Sequence, residues 1–158
     1  MSYEETIALE QVPYNDLSPC IVDDEEIVAR VLFSPKHYLD GEILPTAFQQ
    51  IFSSDGMSIL RKSHFFEESL SKTINQLETT EAKYSGYVCA KVEDIRNIKV
   101  NNLRVFYILD TATKEKLGHA DIFYIKLSYE ECGLPKKVFN GYIRSEIAEV
   151  FNQLIAIK

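Results

Sequence analysis

The sequence predicts an α+β domain, and three stretches carry that prediction. Two apolar runs, Leu103 to Leu109 and His119 to Leu127, flank the polar loop Asp110 to Gly118 and read as an antiparallel hairpin in the middle of a sheet. Phe66, Leu70, Ile74 and Leu77 recur at steps of four, four and three, which is one face of an α-helix. Ile147, Val150, Phe151, Leu154 and Ile155 fall at i, i+3, i+4, i+7 and i+8 and predict a second amphipathic helix at the C-terminal end. Helices combined with a hairpin-containing sheet, mixed or antiparallel, define the class.

The remaining elements follow in chain order. Residues 1–25 read as an N-terminal extension, because Pro13, Asn15, Asp16 and Pro19 are turn and breaker residues. Such a segment either wraps the domain or stays mobile. Residues 26–158 then form one domain. Glu26 to Phe33 is a β-rich run ended by Ser34-Pro35. After a loop through Asp40-Gly41, Pro45 suits the first turn of a short helix over Thr46 to Phe52. Asp55-Gly56 is a turn, and Met57 to Arg61 a short strand or extended segment. The first long helix has Ser63 as its expected cap, a polar face of Glu67, Glu68, Ser71 and Lys72, and an end near Ala82. Tyr84 to Ala90 reads as a strand interrupted by Gly86, followed by a helical turn over Val92 to Ile98 whose Glu93 and Asp94 suit the helix dipole. The terminal helix has Ser145 as expected cap and Lys158 at its favourable end.

Composition narrows the class further. A chain of 158 residues with 46% apolar and 26% charged residues can bury one ordinary core, so neither a disulfide nor a metal is needed to fold it. The net charge of −7 and an isoelectric point near 5.0 disfavour nonspecific nucleic-acid binding. Acidic runs at Glu4-Glu5, Asp23 to Glu26, Glu67-Glu68 and Glu130-Glu131 read either as solvated surface or as a patch for a basic protein partner. Cys20, Cys89 and Cys132 are odd in number and widely spaced, which predicts free thiols in a reducing compartment, with Cys89 as a small core residue. No basic start followed by an apolar run opens the chain, and no apolar stretch approaches membrane length. A cytoplasmic location without membrane contact is the expectation.

Five polar residues at the ends of, or inside, apolar segments are the candidate site. Arg30 lies inside a strand, where an arginine must snorkel, pair with a carboxylate or bind something. Arg61 and Arg96 suit an anion clamp, because guanidinium forks match phosphate or carboxylate oxygens; surface salt bridges are the plainer reading. His37 and His119 suit a general acid and base, against a turn residue and a strand-end residue. His64 stands three and four residues before Glu67 and Glu68, a spacing compatible with a metal face. No third ligand can be nominated, so no metal is expected. No Gly-rich phosphate loop, G-x-S-x-G elbow or H-E-x-x-H helix is present, and no cofactor is expected.

Ala29 to His37, Leu44 to Phe48 and Asp55 to Arg61, with Ile95-Arg96 and Gly118-His119-Ala120, together resemble segments of small uncharacterised bacterial proteins. Those proteins share an arginine-bearing first strand, an Asp-Gly-x-Ser-hydrophobic-x-Arg segment and a Gly-His-Ala segment. The resemblance spans roughly residues 27 to 122 and implies a bacterial origin and a recurring polar constellation, but no activity. Negative charge, aromatic richness and the lack of a catalytic motif favour a small accessory or protein-interaction domain, in the setting of a defence or toxin–antitoxin system. The alternative is a small enzyme or ligand-binding domain for a phosphorylated, nucleotide-like molecule. Geometry discriminates: the arginines and histidines either converge in one pocket or scatter.

Overall fold

Strand β1 (Ile27–Ser34) is buried from Val28 through Phe33, so its residues face protein on both sides. That explains why it reads as a continuous apolar run rather than an alternation. The computed structural model describes residues 1–13, 15–18, 21–151 and 154–155, and around β1 it shows the α+β architecture. In chain order the other strands are β2 (Tyr38–Leu39), β3 (Glu42–Ile43), β4 (Met57–Arg61), β5 (Lys83–Lys91), β6 (Lys99–Val100), β7 (Leu103–Arg104), β8 (Phe106–Asp110), β9 (His119–Tyr124) and β10 (Leu154–Ile155). The helices are α1 (Tyr3–Ala8), α2 (Phe66–Leu77), α3 (Val92–Arg96), α4 (Tyr129–Cys132) and α5 (Lys136–Val150), with 3-10 segments at Leu9–Gln11 and Pro45–Phe52.

Six strands form one sheet in the order β10-β5-β1-β4-β9-β8, each pair antiparallel. β1 and β5 pair along their whole length, with a shift at Leu32/Phe33 where Gly86 takes φ +129°. A side chain there would be strained, and the glycine absorbs the bulge. The β1–β4 pairing is short by comparison: only Val28↔Arg61 and Ala29↔Leu60 face each other. Beyond that point β1 stays with β5 and β4 stays with β9, so the sheet opens between its two central strands.

Each face of the sheet is covered. Val28, Leu32, Met57, Ile59, Val88 and Ile122 pack against Phe139, Ile143 and Ile147 of α5 and against Phe48 and Ile51 of the 3-10 segment. The opposite face, with Ala29, Val31, Phe33, Leu60 and Tyr87, is covered by Phe66 and Leu70 of α2. At the N-terminal end, Ser2 caps α1 by accepting from Glu5 N, and Asn15 donates its side-chain amide to Ala112 O at 2.9 Å. These contacts lay the described part of the first 18 residues along the β8 side of the sheet.

Several expectations are corrected. The β8–β9 hairpin exists, but β8 is the edge strand and not a central one. Phe65, in the left-handed region at φ +54°, precedes α2 in place of a Ser63 cap, and the helix stops at Leu77. The last helix begins at Lys136, nine residues before Ser145, and ends at Val150; Leu154 and Ile155 pair with β5 as a strand. Lys158 lies outside the described residues, as does Cys20. Cys132 is buried and Cys89 half-buried, both as free thiols. No helix among the described residues is long and apolar enough to cross a membrane.

Phe151 sits just beyond α5 with 1% of its surface exposed, its ring stacked on Phe48 at 5.7 Å. Phe151→Ala removes that stack and leaves a void beneath α5, so urea denaturation is expected to show a loss on the order of 3 kcal/mol or more. A loss below ~1 kcal/mol would show that the ring is not part of the core.

Candidate functional site

Two of the candidate arginines are committed to the protein's own carboxylates. Arg61, with none of its side chain exposed, donates Nε and Nη2 to Glu26 at 2.8 and 2.6 Å and Nη1 to Asp110 Oδ2 at 2.6 Å. Arg96 donates to Glu10 at 3.0 Å, to Asp24 at 2.6 Å and to Val22 O at 2.7 Å. Glu10 is itself buried, receives Arg104 Nη2 at 2.5 Å and accepts from Ile108 N at 2.9 Å. Arg61 also reaches Ile21 O. The expected clamp therefore holds an internal target: these two side chains pin residues 21–26 and the 3-10 turn after α1. They do not meet in a pocket.

The other three candidates do. Arg30, His37 and His119 line one pocket of about 290 Å³ at the opening between β1 and β4. Its walls come from Val31 and Phe33 of β1, Gln50 of the 3-10 segment, Ser58, Ile59 and Leu60 of β4, Thr73, Gln76 and Leu77 of α2, and Lys116 before β9. Arg30, 6% exposed, spans the opening by donating Nε to Ala47 O at 3.0 Å and Nη1 to Ser58 O at 3.1 Å. Two neutral carbonyls are its hydrogen-bond partners among the described residues, and no described carboxylate lies within 4 Å of it. Burial pulls its pKa down to about 10 while Asp121 pulls the other way, and the guanidinium stays charged at neutral pH.

The histidines are held by local structure. His37 N donates to Phe33 O at 2.8 Å, and the ring's Nδ1 accepts from Phe33 N at 3.1 Å, so the turn after β1 folds the imidazole back over its own strand. Burial, with Arg30 and then Lys36 repelling a further proton, lowers its pKa to about 4. His119 opens β9 opposite Leu60. Its position depends on Gly118 at φ +72°, where any Cβ would stand 2.1 Å from His64 O. Ser69 of α2 donates its hydroxyl to Leu117 O and fastens the same turn. Thr111 Oγ1 joins His119 Nδ1 at 2.9 Å to Asp121 Oδ2 at 2.6 Å. Burial pushes the His119 ring below its ordinary pKa against the pull of Asp121, and pushes the Asp121 carboxyl above the usual range.

Sequence reasoning missed Lys116, Thr111 and Asp121. The period-two spacing of His119 and Asp121 along an apolar strand was a usable signal, since it puts both side chains on one face. Among the described residues no group of three or more His, Cys, Asp or Glu is arranged to hold a metal ion. Comparison with protein-family models, curated proteins and solved structures finds no match to this chain. The fold and site define it as an α+β protein with a cationic, partly apolar pocket in its central sheet.

The contrast between the arginines is measurable. Arg61→Met leaves Glu26 and Asp110 buried without their cation, and chemical denaturation is expected to show a loss of about 3–5 kcal/mol. A loss under ~1 kcal/mol would mean that water or another group replaces the pair.

The His37 ring sets part of the acid limb of stability. Its pKa is lower in the folded protein than the ordinary 6.5, so the unfolded chain takes up the proton first. Stability from this group is therefore complete above pH 6.5, declines as pH falls toward 4 and is flat below that. His37→Gln is expected to flatten the decline over that window in denaturation curves recorded from pH 7 to 4; an unchanged slope would contradict it.

Proposed function

We propose that the protein binds a small anionic molecule in the pocket between β1 and β4. The observation that carries this reading is Arg30: a buried guanidinium whose hydrogen bonds among the described residues go to two neutral carbonyls. A buried cation with no carboxylate in contact costs several kcal/mol; burial outweighs the attraction of Asp121, and a bound anion offsets the remainder. Arg61, Arg96 and Arg104 each have a carboxylate in direct contact, which sets Arg30 apart from them. Lys116 adds a second positive group at the rim, and Gln50, Gln76, Ser58 and Thr73 add neutral hydrogen-bonding groups. The volume suits a small metabolite, with a phosphate or carboxylate head over Arg30 and an apolar portion against Phe33, Leu60 and Leu77.

Arg30→Lys keeps the charge and loses the planar fork, so affinity for an oxyanion should fall at least about tenfold while the fold survives. The measurement is a thermal-shift and calorimetry series with inorganic phosphate, small carboxylates and phosphorylated metabolites on both proteins. A ligand at a hundred times its dissociation constant should stabilise the wild type by roughly 2.7 kcal/mol. Absence of any shift across the series would sink the reading and favour an accessory domain that binds protein.

A further inference from the structure

The two imidazoles of the pocket are fixed in opposite hydrogen-bonding senses. His37 Nδ1 accepts from Phe33 N, so the neutral ring carries its proton on Nε2 and offers a donor. His119 is held the other way. When ionised, the Asp121 carboxylate can only accept, so the Thr111 hydroxyl gives its proton to Oδ2 and presents a lone pair to His119 Nδ1. The ring donates there, and its Nε2 keeps a lone pair. Among the described residues no hydrogen bond to that nitrogen is made, although the ring lines the pocket. The pocket thus offers a buried cation, one neutral donor and one neutral acceptor beside an apolar wall of Val31, Phe33, Ile59, Leu60 and Leu77.

We infer that the ligand is a small anion on an apolar carbon body that also carries a hydroxyl or N–H group, donated to His119 Nε2. This rests on the anion reading above and adds the second functional group. An anion lacking the donor leaves Nε2 buried without a partner, which discriminates against it. Phosphate and carboxylate heads fit Arg30 alike, so both belong in the test.

Two matched pairs supply the probes: 2-hydroxyisocaproate against isocaproate, and 2-hydroxypropyl phosphate against propyl phosphate, with inorganic phosphate as the head alone. In calorimetry at pH 7.5 the hydroxylated member of at least one pair should bind about tenfold or more tightly. His119→Phe should erase that preference, because it removes the acceptor that the plain anion leaves unpartnered, and the plain anion should then bind at least as tightly as it does to the wild type. If that variant does not fold, the wild type provides the same test by acidification. Asp121, Asp110 and Lys116 surround the ring and Arg30 shares its pocket. Protonation of Nε2 removes the acceptor, so the preference should vanish as pH falls below the ordinary histidine value of 6.5. Nitrogen-15 spectra of the ring should show the Nδ1–H tautomer at neutral pH. Equal binding within both pairs, or a preference untouched by acid and by His119→Phe, overturns this inference while phosphate binding keeps the anion reading. Silence from all four probes overturns it too, and silence from inorganic phosphate as well takes both.

Discussion

The buried pairing of Arg61 with Glu26 and Asp110 is the constraint on which the rest of the structure depends. Glu26 immediately precedes β1, Arg61 ends β4 and Asp110 ends β8, so one guanidinium ties three strands of the sheet at the same end. Charges this deep are tolerated only when all are satisfied. Ser18 Oγ and Ala112 N complete the set by donating to Asp110 at 2.7 and 3.0 Å, and Asp23 N donates to Glu26 at 2.7 Å. Satisfying the ion pairs therefore dictates where the N-terminal segment and the loop before β1 must lie. Arg96 and Glu10 extend the same logic to α3 and the 3-10 turn after α1, and Arg104 to the start of the β8 side.

The sheet is closed by charge at that end and opens where the charge is left over. β1 and β4 share only two facing pairs before they part, and the edges they expose would carry orphaned carbonyls. Arg30 meets one of them by donating to Ser58 O, and it also donates to Ala47 O of the 3-10 segment. The same side chain lines the pocket. The division explains why the candidate residues separate into two sets: Arg61 and Arg96 serve the closed end, while Arg30, His37 and His119 serve the opening.

How much of this was legible depends on whether the information was local. The apolar run of β1, the 3.6-residue stripe of α2 and the two strands of the hairpin are local patterns and could be read. So could α4, since Ser128 and Glu131 form a capping box and Gly133 takes the left-handed position after it, a spacing that was passed over. The start of α5 was hidden by Pro135, by Lys136 and Lys137 in the first turn, and by Gly141 within it, although Phe139, Ile143 and Ile147 continue the stripe at steps of four. Leu154 and Ile155 fit that stripe equally well. Their pairing with Val88 and Tyr87, 66 and 68 residues away by subtraction, is not written in the local pattern.

The arginines show the same limit most sharply. In sequence, Arg30 lies inside an apolar run and Arg61 closes one, and nothing local says which has carboxylate partners. The partners of Arg61 come from positions 26 and 110, brought together only by the strand order. Which carboxylates a buried charge meets is a property of the assembled sheet. Histidine stands out in a sequence for its titration near neutral pH, whereas the orientation of the His119 ring is set by Thr111 and Asp121, which the strand order brings to it. The strand places His119 and Asp121 on one face, the residue just after the edge strand supplies the Thr111 hydroxyl between them, and Gly118 lets the chain pass close enough to His64 to hold the turn. Chemistry at this site is thus a consequence of register, and a one-residue slip of β9 would turn both His119 and Asp121 to the opposite face.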